Sequence, residues 1–203
     1  MDYCVKKTEI VNPPIDSPEW AWAETARLKD CGWAGERAPS AYAKLLDGPE
    51  GISVLMHTDE APLRRVNTEE NSEVCEDSCM EFFFKPDPHD INFLNFEMNP
   101  NGVLLLSIGK DRHGRIDLEE DHALFDIESD AKDGDWTIKL YIPKKILLKY
   151  FKKLAPVCRA NFYKCGDKTE NPHFLAWSPV DVVEPDFHVP DFFGFIRFNT
   201  DYK

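Results

Sequence analysis

The sequence is short of positive charge for its size. Its 24 Lys and Arg face 37 Asp and Glu across 203 residues, giving a formal net charge of −13. Nucleic-acid affinity rests on neutralising phosphates with cationic side chains, so such a chain repels a phosphate backbone. Neither nucleic acid nor an anionic membrane surface is expected as a partner. Long apolar runs are missing as well, and no stretch approaches the roughly 20 apolar residues that a membrane helix needs. The opening MDYCVKKTEIVNPP lacks the apolar core of a signal peptide, which leads to the expectation of a cytoplasmic location. Six cysteines are too few for a disulfide scaffold, so reduced thiols are expected.

What is present is enough for one domain spanning residues 1–203, because 42% of the chain is hydrophobic and that suffices for a sizeable core. Strand-length apolar segments rich in aromatic and β-branched residues fall at Ala41–Leu46, Ile52–His57, Met80–Phe84, Ile91–Asn99, Val103–Ile108, Trp136–Ile142, Arg159–Cys165, Phe174–Trp177 and Phe193–Phe198. Breakers such as LLDGPEG, KPDPHD, NPNG and AKDGDW separate them and supply Pro, Gly, Asn or Asp where the chain must reverse. The pattern predicts an all-β, antiparallel β-sandwich of jelly-roll-like or immunoglobulin-like type. In INFLNFEMN, Leu94, Phe96 and Met98 share a core face while Asn95, Glu97 and Asn99 share a polar one. Two short helices are expected. Ser17 caps the first, near Ser17–Leu28, and the second, Pro143–Leu154, repeats Ile146, Leu147, Tyr150, Phe151 and Leu154 at helical spacing. Trp33, Trp136 and Phe83 are expected to be largely buried.

Several chemistries can be weighed from the residues. Cys75-x3-Cys79 and Cys158-x6-Cys165 do not match a structural zinc spacing, which favours ordinary buried thiols. The acidic ESDAKDGD could supply oxygens to calcium, but it lacks the EF-hand register and reads as a solvated turn. No GxSxG elbow or Cys–His catalytic context is legible. Glu81 and Glu97 could form a glycosidase-type pair, although sequence spacing does not fix their separation. No Met–His pair supports a heme or metal carrier. Arg112, His113 and Arg115 in GKDRHGR read as a hairpin turn, with a carboxylate grip as the alternative. The C-terminal third is dense in loop aromatics. Trp177, Phe187, Phe192 and Phe193 are open to two readings, as a sugar-stacking platform or as the closure of one end of the core.

The stretches DSCMEFFFKPD, NFLNFEMNPNG, NFYKCGD, AWSPV and PDFHVPDFFG occur in an order and spacing that resembles the family-nine carbohydrate-binding modules, in their stand-alone bacterial branch, over residues 39–198. The resemblance implies a β-sandwich that binds a glycan's reducing end or a free mono- or disaccharide, in a family attached to xylanases and known to hold structural calcium. A glycoside hydrolase partner, or a related enzyme on the same sandwich, are what it offers as alternatives. In the xylanase-attached modules two Trp rings, a Glu and an Arg hold the sugar. Carried over, the Glu falls on Glu81, the first Trp on Cys75, the second on Phe187 and the Arg on Glu97. Three of these four positions depart from the pattern. Trp177 matches a Trp in the family's penultimate strand. The expected site is therefore Glu81, Asn95, Glu97, Trp177, Phe187 and His188, holding a small sugar with no cofactor other than structural calcium.

Overall fold

The computed structural model describes residues 1–34 and 38–198. Its strands, in chain order, are β1 (Asp2–Lys7), β2 (Ala26–Arg27), β3 (Lys29–Asp30), β4 (Ala41–Asp47), β5 (Gly51–Thr58), β6 (Cys79–Lys85), β7 (Phe93–Met98), β8 (Leu104–Gly109), β9 (Ile116–Asp117), β10 (Glu128–Lys132), β11 (Asp135–Pro143), β12 (Val157–Cys165), β13 (Phe174–Ala176) and β14 (Gly194–Phe198). All nine segments read as strands form strands. The fourteen strands of the described residues build one curled sheet in order β10-β11-β5-β4-β1-β14-β12-β6-β7-β8-β9, with β2 on β4, β13 on β12 and β3 on β13.

The curl brings two arms face to face. Leu45, Val54, Met56, Trp136 and Ile138 of one arm meet Phe82, Phe84, Leu94, Phe96 and Phe162 of the other in a single apolar cluster. Burial of that surface, at about 25 cal/mol per Å², is the main force holding the arms together. The sheet is mixed, which corrects the antiparallel expectation. In β1, Asp2–Val5 run parallel to Phe195–Phe198 of β14, and Lys6–Lys7 then run parallel to Leu46–Asp47 of β4. Hairpin turns impose antiparallel pairing only on neighbours in sequence, and β1 joins strands far from it along the chain.

The helices are shorter than expected. Ser17 does cap a turn, its hydroxyl accepting from Glu19 N at 3.3 Å, but the helix is a 3-10 turn over Pro18–Ala21. The second helix, α1 (Lys144–Tyr150), starts after Pro143 and stops where Phe151 adopts φ −122°, ψ 146°. Phe151 is 2% exposed, so its ring's place in the core takes precedence over another helical turn. Among the described residues no helix is long and apolar enough to cross a membrane.

The polar face of β7 is not open to solvent, because every residue of the strand is buried, Asn95 and Glu97 included. Connecting segments cover that side, where Val74, Phe187 and Phe193 form a separate cluster with Phe83, Phe93 and Tyr163 of the strands. Asp77 pins the first of these segments. Its carboxylate accepts from Val66 N at 3.0 Å, Asn67 N at 2.9 Å and Asn99 Nδ2 at 2.9 Å.

Candidate functional site

Alternation along the strands places Cys79, Glu81 and Phe83 of β6 on the loop-covered face. Register then sets Glu81 opposite Tyr163 on one side and Glu97 on the other, and Cys79 opposite Cys165. Over this floor lies a cleft of about 90 Å³ lined by Glu81, Glu97, Cys75 and Cys165, by Arg112 and Arg115, by Glu73, Asp167 and Asp186, and by Trp33, Phe174, Phe187 and His188. Four expected residues, Glu81, Glu97, Phe187 and His188, thus meet in one place.

Polar contacts fix the wall. Arg115 Nη1 donates to Glu97 Oε1 at 3.2 Å and to His188 Nε2 at 2.6 Å. His188 Nδ1 stands 3.3 Å from Asp186 Oδ1, so the proton on Nδ1 leaves Nε2 free to accept from the guanidinium. Burial and the Arg115 charge push His188 down to about 4, which keeps the ring neutral. Burial and the neighbouring Glu97 hold Glu81 well above the usual carboxylate range. Glu97 is pushed up to about 6 by burial, with Arg115 pulling the other way. The floor therefore offers a protonated carboxyl beside one that ionises near neutrality, a donor next to an acceptor.

The aromatic wall is layered. Phe187 stacks on Tyr163 with centroids 4.0 Å apart and planes 12° apart, and its ring also lies 5.4 Å from Trp33. Trp33 is half-buried, and its Nε1 reaches Val182 O at 3.2 Å, which holds the ring at the lip of the cleft. Trp136 and Phe83 are fully buried, as expected.

Trp177 and Asn95 do not line the cleft. Trp177 packs edge-on against Tyr3 and Phe162 in the main core, on the opposite side of the sheet. Asn95 lies beneath the floor, fully buried, its Nδ2 donating to Glu97 Oε1 at 3.4 Å. Arg115 and Trp33 were not expected. The first was legible only as part of an isolated basic turn and the second only as a core candidate, since nothing in one sequence aims a loop side chain. A larger hollow of about 350 Å³, between Ser40, Asp59, Glu60 and His173, has no Trp, Tyr or Phe among the described residues of its lining.

The sequence profile of carbohydrate-binding family 9 matches residues 39–198. The chain belongs to that family. As a family-nine chain it is similar in structure to a candidate carbohydrate-binding protein from Bacteroides uniformis ATCC 8492, with 27% identity, a TM-score of 0.84, and coverage of 97% of this chain and 98% of that one. It also resembles a family-nine module of Caldicellulosiruptor kristjanssonii solved with cellotriose, at 13% identity and a TM-score of 0.68 over 98% of this chain and 93% of that one. The same organism's module with glucose matches at 13% identity and a TM-score of 0.64, covering 98% and 95%. These two likenesses show the fold. No curated protein matches the chain.

Proposed function

We propose that this family-nine chain binds a free small sugar or the end of a glycan in the cleft between Trp33 and the Glu81–Glu97–Arg115 floor. One observation carries the reading: a half-buried Trp ring, a pair of buried carboxyls and two guanidinium groups line the same hollow of about 90 Å³. A pyranose presents an apolar C–H face to an aromatic ring and hydroxyls that both donate and accept at its rim. The hollow is well below the ~300–1,000 Å³ that encloses a drug-sized ligand, which suits one terminal ring with the remainder of the ligand in solvent. The relatives solved with glucose and cellotriose support the same class of ligand.

In this reading Arg115 is a direct hydroxyl ligand, steered by Glu97 and by the His188–Asp186 pair. Calorimetric titration with glucose and cellobiose tests it. Arg115→Met removes a charged hydrogen bond of about 1.5–3 kcal/mol, so affinity should fall roughly 10- to 100-fold while the thermal melt stays cooperative. A folded Arg115→Met protein that binds as tightly as wild type would overturn the site, and absence of binding across mono- and disaccharides would overturn the function.

A further inference from the structure

Cys79 opens β6 and Cys165 closes β12, and the register sets them directly opposite each other. Glu81 lies two residues along from Cys79, on the same face. The two Sγ atoms and a Glu81 carboxylate oxygen all lie within 4.8 Å of one another, and all three residues are buried. Cys165 Sγ donates to Glu81 Oε1 at 2.9 Å, so these side chains already converge on a common point. Both Glu81 and Cys165 also line the cleft, which leaves one side of the cluster open.

We propose that Cys79, Cys165 and Glu81 form a binding site for a thiophilic d10 cation, zinc or its analogue cadmium, at the floor of the cleft. In a tetrahedral site with Zn–S near 2.3 Å and Zn–O near 2.0–2.2 Å, ligand atoms stand about 3.5–3.8 Å apart, a spacing small side-chain rotations reach from the present geometry. Two sulfurs and one oxygen select a soft or borderline cation over calcium or magnesium, which take all-oxygen shells. The fourth position faces the cleft. Metal binding displaces a proton from each thiol and from the Glu81 carboxyl to solvent and forms two metal–sulfur bonds and one metal–oxygen bond, with no change in oxidation state. Sequence spacing gave no hint of this set, because the pairing of β6 with β12 creates it. The inference rests on the cluster's geometry and not on the sugar reading.

The experiment is a cadmium titration of the 203-residue chain, reduced and stripped with EDTA, following the ultraviolet sulfur-to-cadmium charge-transfer band, with zinc competition. One cation per chain is expected, with loss of the band in Cys165→Ser and Cys79→Ser, at least about 10-fold weaker binding in Glu81→Gln, and no change in Cys4→Ser, whose thiol is exposed on β1. Cadmium-113 NMR of the wild-type complex gives a second reading that does not depend on any variant folding, with a shift for two thiolates expected. Absence of the band in wild type, its survival in the folded Cys79→Ser and Cys165→Ser proteins, or an all-oxygen cadmium shift each overturns the site. Zinc occupying Glu81 should also lower sugar affinity in wild type and not in Cys165→Ser. Sugar titrations in EDTA read the sugar proposal separately, and zinc without effect on a wild-type protein that binds sugar would overturn metal capture of Glu81.

Discussion

Glu97→Gln isolates the cost of placing a carboxylate in the floor. Glu97 is 2% exposed, and burial lifts it from an ordinary 4.5 to about 6 even with Arg115 beside it. Between these two values the folded protein keeps a proton that the unfolded chain has released. The resulting stability is fully present below pH 4.5 and is lost as pH rises through 6. A shift of about 1.5 pH units corresponds to about 2 kcal/mol. For a chain of this length that is a change of roughly 4–8 °C in Tm. The readout is wild-type stability minus Glu97→Gln stability, from urea unfolding by tryptophan fluorescence at pH 4.0 to 7.5 with EDTA present. It should fall by about 2 kcal/mol across that range. Relief of Glu81, whose own elevation owes part to Glu97, adds to the difference with the same sign. The raw wild-type curve is not the readout, since His173 and His188, pushed down from 6.5 to about 4 mainly by burial, lose their contribution as pH falls and oppose the Glu97 trend. A difference curve that is flat, or that rises with pH, refutes the view of Glu97 as a desolvated carboxylate.

Trp33→Ala should weaken sugar binding about 10-fold through loss of the stacking face, at little cost in stability, as calorimetry beside a thermal melt will report. Trp177→Ala should do the reverse, costing about 3–5 kcal/mol in urea unfolding because it opens a core cavity, with unchanged affinity in the folded protein. Asp77→Ala strands the buried Asn99 Nδ2 donor, at about 1–3 kcal/mol, and frees the part-buried Val66 and Asn67 amides, so a drop in Tm and loosening of the loop that carries Glu73 and Cys75 are expected, the latter visible as faster amide exchange at Val66 and Asn67.

The strands legible in the sequence were those with buried apolar residues between breakers. The strands that escaped carry a different signal or none. β10, ESDAK, is largely exposed and charged and forms only because it pairs with β11 through a turn at Gly134, where φ is +80°. β1 hides Tyr3 and Val5 among charges, and β2, β3 and β9 have two residues each, too few for a period. Alternation correctly made Asn95 and Glu97 co-facial on a polar face but could not show that loops cover it. The loops that cover it are not neighbours of β7 in sequence. The family resemblance brought Glu81, Phe187 and His188 to one end. It could not supply Arg115, which reaches Glu97 from a turn 18 residues away, or the Cys79–Cys165 pairing, which depends on strand register.

The distribution of charge argues for the kind of ligand the cleft suits. Its lining alternates sign: Glu73, Asp167 and Asp186 stand among Arg112 and Arg115 around the Glu81–Glu97 pair. An anionic ligand would meet the acidic residues, and a cationic one would meet the guanidinium groups. Either would then be desolvated against like charge, at a cost that grows as the local dielectric falls. A neutral polyhydroxylated ligand meets no such conflict, because each hydroxyl accepts from an arginine and donates to a carboxylate. Burial of the floor strengthens every one of those bonds, and the same burial keeps Glu81 protonated in the ligand-free protein, so the energetic cost of charging it is not incurred. A protonated Glu81 can donate where an ionised one could only accept. The polar face read from alternation is buried and thus suited to recognition of hydroxyls, with the loops excluding the water that would otherwise compete for the same groups.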